Sequence, residues 1–350
     1  MCVLVMYAGT NVVMDRMAGW VEEEQDGYLW SSEEWMQLFG ANNFADHGKS
    51  RILLIGSSEA REAFLFDQFE SELPGFEAYN NAFSNLTLQT LIVVLQYIET
   101  AYGPSALPRK IVLGVTPPLL LDQPPIDRSY LPGVIDRYSP FVSLDIESRP
   151  AQLVRKGWLD SLVSRYQYLT HQSRRYKGAV RGVMRWAALS FAPGVADRMR
   201  LGLVPSRYHH HLRPIDQQEQ LQAMRRILPP LRAPETIAAT VRMQWAMLHD
   251  FTADHDIDLY VVNMPQSTFL LDDYYAQIYD EYRQLLRSLT GDAPFLDLAR
   301  SLRDDEFYDV THVNLVAARR TSRHVAQFMR EMEAGPGERK RETVSDATIN

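Results

Sequence analysis

Two stretches far apart in the chain hold residue types that together could take a proton from a hydroxyl. The first is RILLIGSSEAREAF, residues 51–64, where an apolar run ends in Gly56-Ser57-Ser58. Gly56 permits a tight turn, and the serines after it fall at a helix start. A hydroxyl there is exposed, with backbone N–H groups close by. Such a serine suits a nucleophile that passes through an oxyanion. It equally suits an ordinary helix N-cap, for which Ser is a favoured residue. The second stretch is FYDVTHVN, residues 307–314, in which Asp309 and His312 stand three apart before the last helical pattern. A base for a serine needs an imidazole oriented by a partner that sets its tautomer. An Asp-x-x-His turn can supply both from one loop, although capping by Asp309 or Thr311 would use the same residues.

The two motifs together carry more than either alone. A Gly-x-Ser after the first strand, with Asp-x-x-His after the last, resembles the SGNH/GDSL hydrolases over about residues 51–329. The resemblance implies Ser58 as nucleophile, His312 as general base and Asp309 as the group that orients it. Gly-Ser-Ser in place of Gly-Asp-Ser is similar to the branch that modifies bacterial envelope polymers, with periplasmic polysaccharide O-acetyltransferases and D-alanine transfer proteins. DLYVVNMPQS (258–267) and DVTHVN (309–314) fit that branch. The second block of the superfamily maps onto NNAFSNLT (80–87), with Ser84 and the adjacent Asn85 as oxyanion candidates. A strand-to-helix turn would use the same residues for local hydrogen bonds. In the third block Thr116 stands where the superfamily has Asn. The resemblance therefore leaves one oxyanion donor to be replaced, by Asn263 or by a backbone N–H. Arg61 could grip a substrate carboxylate or phosphate, or pair with Glu62.

The elements that would position these residues are legible as continuous apolar runs, the pattern of a parallel sheet buried on both faces. Five strands are expected, at Arg51–Ile55, Phe76–Asn80, Lys110–Val115, Asp258–Asn263 and Pro294–Leu298. Helical patterns lie at Leu86–Thr100, Glu235–Thr252, Tyr274–Leu289 and Leu315–Glu333. In the second of these Ile237, Val241, Trp245 and Leu248 make one apolar face. Alternation of this kind predicts an α/β fold: a doubly wound, mainly parallel five-stranded sheet with helices on both faces. It resembles the flavodoxin-like three-layer SGNH arrangement. The expected organisation is an N-terminal segment over 1–50, a core over 51–119 and 235–333, an inserted helical lid over 120–234 and a disordered tail over 334–350. The insertion is framed by prolines, and a structureless loop of that length would be implausible in a compact domain.

The chain has 350 residues, one cysteine (Cys2) and a net charge of -8. A single cysteine excludes an intrachain disulfide, and a chain this long can bury its core without staples. The charge is unevenly spread. Residues 151–213 hold twelve Lys/Arg and two acids, giving +10, so the remainder carries -18. That asymmetry points to an anionic partner such as a membrane surface, or to a basic lid on an acidic core. No nucleic-acid module accompanies it, and nucleic acid is not expected. Tyr208-His209-His210-His211 lacks nearby acids and lacks ligand spacing. No metal and no cofactor are expected. The opening MCVLVMYAGTNVVM is too short to span a bilayer, which takes about 20 apolar residues. It reads as the remnant of a signal anchor, or else as a buried element of the fold.

The resemblance implies acyl transfer or ester hydrolysis on an envelope glycan or related polymer. The site would lie in the cell envelope outside the cytoplasm on an N-terminally anchored chain, or in the cytoplasm if the N-terminus is complete. The resemblance also implies an acylated donor and, for a transferase, a membrane acyl-transporting partner. The competing expectation is a silent scaffold that holds an anionic polymer or a membrane partner. The missing third-block Asn favours the scaffold; the joint presence of Ser58, Asp309 and His312 opposes it.

Overall fold

The computed structural model describes residues 49–82, 86–122, 135, 139, 142–145, 152–164, 217–227, 231 and 233–333. Five of its strands form one parallel sheet: β1 (Ser50–Gly56), β2 (Phe76–Asn80), β3 (Lys110–Val115), β6 (Asp258–Asn263) and β7 (Phe295–Asp297). Their order across the sheet is β2-β1-β3-β6-β7. The runs ILLI of β1, IVLGV of β3 and LYVV of β6 are buried along their lengths. This is why they read as unbroken apolar segments rather than alternating ones. The expected α/β class and all five expected strands are observed.

Among the described residues, the helices of the sheet unit are α1 (Ser58–Ala63), α2 (Phe66–Glu72), α3 (Leu88–Tyr102), α4 (Pro117–Leu121), α6 (Gln217–Ile227), α7 (Pro234–Asp254), α8 (Tyr279–Thr290) and α9 (Leu315–Glu333). α9 packs on α1 and α2, while α3 and α8 pack on α7. In α7 the predicted stripe Ile237, Val241, Trp245 and Leu248 is buried. The helical pattern at 274–289 begins later than expected. A π-helical turn over Leu270–Tyr274 precedes α8, which starts at Tyr279.

The chain divides into two compact units, 1–40 with 129–211 and 41–128 with 212–350. In the first, the described residues hold an antiparallel pair, β4 (Val142–Asp145) and β5 (Gln152–Arg155), followed by a short helix α5 over 158–164. The strand pair is a difference from the all-helical lid expected there. Each strand is only four residues long, too short for a hydrophobic period to stand out in the sequence. Among the described residues no helix is long and apolar enough to cross a membrane. The apolar stretch 1–14 and the tail 334–350 lie outside the described residues.

Candidate active site

Strand order decides where a site can form. β1 connects to β2 on one side, and β3 leads to β6 and β7 on the other. The order therefore reverses between β1 and β3, and open α/β sheets bind ligands at the carboxyl ends of the strands flanking such a reversal. Ser57 and Ser58 follow β1, and Thr116 follows β3, so all three fall at this point.

Packing at the strand ends leaves room for no larger side chains. Gly56 pairs with Gly114 in the β1–β3 register. A Cβ on Gly56, whose φ is +154°, would stand 2.6 Å from Ala60 Cβ and 2.6 Å from the Gly114 carbonyl. A Cβ on Gly114 would meet Ala60 Cβ at 2.7 Å and Met264 Sδ at 2.8 Å. Two glycines and one alanine thus let α1 press directly on the sheet. The first residue of that helix is Ser58, which is half-buried while Ser57 is buried.

His312 arrives from the far end of the chain, and its approach is fixed by the helix that follows it. In α9, Ser322 Oγ donates to the carbonyl of Ala63 at 2.8 Å and accepts the Leu65 N–H at 2.8 Å. This buried hydroxyl clamps α9 to the end of α1, so the loop before α9 lies beside the start of α1. That loop is held in turn by Ser267 Oγ donating to Val310 O at 2.7 Å and by a Phe307–Val313 bridge.

The resulting hydrogen-bond chain is continuous. Ser58 Oγ lies 3.0 Å from His312 Nε2, and His312 Nδ1 lies 2.8 Å from Asp309 Oδ2. The other carboxylate oxygen, Asp309 Oδ1, accepts the N–H of His312 at 2.6 Å, the N–H of Thr311 at 2.8 Å and the Thr311 hydroxyl at 3.1 Å. A carboxylate with this many donors stays ionised and cannot rotate away. Burial pushes the Asp309 pKa up, but the hydrogen bonds and charge of His312 and the two backbone donors outweigh it, leaving the carboxyl below its ordinary range. For His312, burial acts downward. The Asp309 hydrogen bond and charge, with the nearby carboxylates Glu59 and Glu62, prevail and raise it above the usual 6.5. The buried Tyr308 ring stacks on the imidazole at 5.7 Å, 10° from parallel. The imidazole is therefore fixed on three sides, with Nε2 directed at the hydroxyl.

The other sequence-predicted residues fall in different places. Thr116 is fully buried as the residue before α4, its Oγ1 3.5 Å from Ser57 Oγ. It touches the residue before Ser58. Asn263 is engaged elsewhere: Nδ2 donates to Asp297 Oδ1 at 2.8 Å and to the Tyr279 hydroxyl at 3.4 Å, and Oδ1 accepts from the Tyr282 hydroxyl at 2.9 Å. Its amide is consumed in closing β6 against β7 and α8, so it does not replace the third-block donor. Arg61 is buried and forms an ion pair with Glu62 at 3.1 Å, with Nε 3.2 Å from the same oxygen. Its charge is balanced within α1, which argues against a grip on substrate. Ser84 and Asn85 lie outside the described residues, as does the run Tyr208–His211. Among the described residues no group of His, Cys, Asp or Glu is arranged to hold a metal ion.

Three residues were not singled out by sequence reasoning. Glu59 is buried, and its Oε2 accepts the Ser57 hydroxyl at 2.5 Å and lies 3.2 Å from Ser58 Oγ. Asn81 is buried just past β2. Its main-chain N–H donates to Leu54 O at 2.8 Å, while its Nδ2 has no acceptor. Gln266 is buried past β6, anchored by its N–H to Ala299 O at 3.0 Å, with both amide atoms unpartnered. Buried amides are normally satisfied, so each of the last two is a polar group available for a ligand. Their only sequence signal is position, since both follow the carboxyl end of a core strand.

No protein-family model matches the chain, and no curated protein matches it. Among solved structures, a crystal structure of a candidate acylhydrolase from Bacteroides fragilis covers 86% of this chain and 98% of its own, at 8% identity and a TM-score of 0.35. A likeness this low carries no weight for the chemistry, which stands on this chain's own geometry.

Proposed function

We propose that this protein is a serine-dependent acyl hydrolase or acyl transferase that works through an ester on Ser58. The observation that supports it is the Ser58–His312–Asp309 chain, at 3.0 and 2.8 Å, at the reversal point of the sheet. In the proposed reaction Ser58 Oγ attacks the acyl carbonyl carbon as its proton passes to His312 Nε2. Asp309 stabilises the imidazolium by charge and holds the tautomer that makes Nε2 the acceptor. The tetrahedral oxyanion needs donors fixed before charge develops. Asn81 Nδ2, buried without an acceptor beside the end of β1, is our candidate. When the carbonyl reforms, the leaving alkoxide takes the proton back from His312 and the acyl group stays on Ser58. Water or an acceptor hydroxyl then attacks that ester, giving its proton to His312, which passes it on to Ser58 Oγ as the serine leaves.

The finer reading is transfer to, or removal from, hydroxyls of an envelope glycan, by a chain placed outside the cytoplasm and supplied with acyl groups by a membrane partner. Its support is the resemblance of Gly56-Ser57-Ser58 to that branch. The contrary reading, a silent scaffold, draws on Glu59. This carboxylate offers Ser58 Oγ a second acceptor that competes with His312, and its charge opposes an oxyanion nearby.

A fluorophosphonate probe tests the proposal directly. Ser58 Oγ would displace fluoride from phosphorus, its proton going to His312, and leave a stable phosphonyl ester. Wild type is expected to label and to hydrolyse p-nitrophenyl acetate. Ser58→Ala should abolish labelling and lower turnover by about 10⁶-fold, whereas Ser57→Ala keeps the label. A folded wild type that neither labels nor turns over, alone or with membranes from its source, would establish the scaffold instead.

A further inference from the structure

The short helix α5 is built inside out. Its apolar residues Trp158, Leu159, Leu162 and Val163 are 78%, 58%, 58% and 48% exposed. They form two i,i+4 pairs on one side of the helix. Of its polar residues, Ser164 turns inward. Ser164 is buried, and its hydroxyl receives Lys156 Nζ at 2.8 Å, while the same ammonium donates to Ser139 O at 3.0 Å. Val154, on the preceding strand β5, is a further 48% exposed. Half of the exposed large hydrophobics among the described residues thus fall within ten positions, 154–163. A contiguous apolar patch of this kind marks a surface that is covered in use.

Charge indicates what covers it. The patch begins the stretch 151–213, whose +10 stands against -18 for the rest of the chain. Arg155 is exposed beside it, and Arg165 follows α5 in sequence. One acid, Asp160, lies exposed on the helix. Exposed Trp and Leu on a helix set in a cationic segment suit the interface of an anionic bilayer. There the apolar side enters the headgroup boundary and an exposed cation such as Arg155 meets lipid phosphates. Trp158, the most exposed of the group, has the amphipathic ring that prefers this depth. We infer that the face formed by Trp158, Leu159, Leu162 and Val163 docks this unit onto an anionic lipid surface. This holds whether or not Ser58 is a nucleophile.

The test uses the full chain and sedimentation with vesicles of phosphatidylcholine alone, or of equal parts phosphatidylcholine and phosphatidylglycerol. The expected result is binding to the mixed vesicles only, weakened by salt. In the double variant Trp158→Ser, Leu162→Ser, binding should fall roughly tenfold or more, because the apolar area entering the interface is lost. Both positions are exposed, so the melting temperature and fluorophosphonate labelling should be unchanged. Failure of wild type to bind the mixed vesicles, equal binding to neutral ones, or undiminished binding by the double variant would each overturn the inference. So would a lower melting temperature in the variant, which would mean that another part of this chain covers the patch. Light scattering that shows a dimer split by the variant would assign the face to a second copy instead.

Discussion

The two ends of the central sheet both bury polar groups, and they use them in opposite ways. At the amino ends of β3 and β6, Lys110 is buried with its ammonium 2.9 Å from Asp258 and 2.9 Å from Glu333. The rings of Phe76 and Tyr260 lie 5.0 and 5.7 Å from it. Burial lowers the Lys110 pKa, but the two carboxylates prevail and keep it raised, so the charge is permanent and satisfied. Nearby, Arg109 pairs with Asp256 and His255 with Glu99. At the carboxyl ends the hydrogen bonds run instead as a chain through the half-buried Ser58 hydroxyl, while past β2 and β6 Asn81 Nδ2 and the Gln266 amide have no partner. A satisfied cluster can only hold strands together. An unsatisfied one stores the capacity to bind something else, at a cost in folding stability of about 1–3 kcal/mol per buried unpaired group. The comparison shows that burial of charge alone does not mark a site; unspent polar atoms also occur at Gln244, Trp245 and His249 of α7, so it is their coincidence with the carboxyl ends of the strands that sets this region apart.

Beyond Ser58→Ala, the sharpest way to break this contrast is Asp309→Asn. The amide preserves the shape but can set the wrong tautomer on His312, so kcat for ester hydrolysis should drop by about 10⁴-fold while the fold, read by circular dichroism, is kept. Next comes Asn81→Ala. If its free Nδ2 serves the oxyanion, kcat should fall by about 10²–10³-fold with KM little changed. An unchanged kcat would remove Asn81 from the reaction and leave it an unexplained buried amide.

The opposite end should answer in stability and not in rate. Lys110→Met removes the cation from two partly exposed carboxylates, which water can then solvate. A loss of roughly 1–2 kcal/mol, seen as an earlier urea midpoint, is expected with kcat intact. The smallest effect belongs to Glu59→Gln. His312 accepts a proton only when neutral, so its raised pKa places the acid limb of kcat/KM above 6.5. Activity falls as pH drops through that limb. Removing the Glu59 charge takes away one of the influences that raise His312, so the limb should move to lower pH. A limb that stays in place would show that Asp309 dominates.

How much of this was legible beforehand differs by element. The strands around Leu53, Val112 and Val261 declared themselves because each is buried on both faces, which demands an unbroken apolar run whatever its neighbours are. Stripes such as Ile237 to Leu248 in α7 were equally plain. β4 and β5 were not, since four residues are too few to carry a period. Among site residues, Ser58, Asp309 and His312 were named from motif wording, and the structure brings them together. Asn263 had suggested an oxyanion donor, yet its amide is taken up by Tyr279, Tyr282 and Asp297. Those partners lie 16, 19 and 34 residues away, beyond any local pattern. Glu59 adjoins Ser58 in sequence but looked like any acid in a first helical turn.

The sequence by itself determined the types and order of the core strands and helices and the two motifs, because propensity and periodicity act over a few residues. Only the tertiary structure decided which polar groups are spent and which stay free. That outcome depends on contacts such as Ser58 with His312, 254 residues apart. Those contacts exist because Gly56, Ala60 and Gly114 let α1 close on the sheet and Ser322 ties the last helix to it.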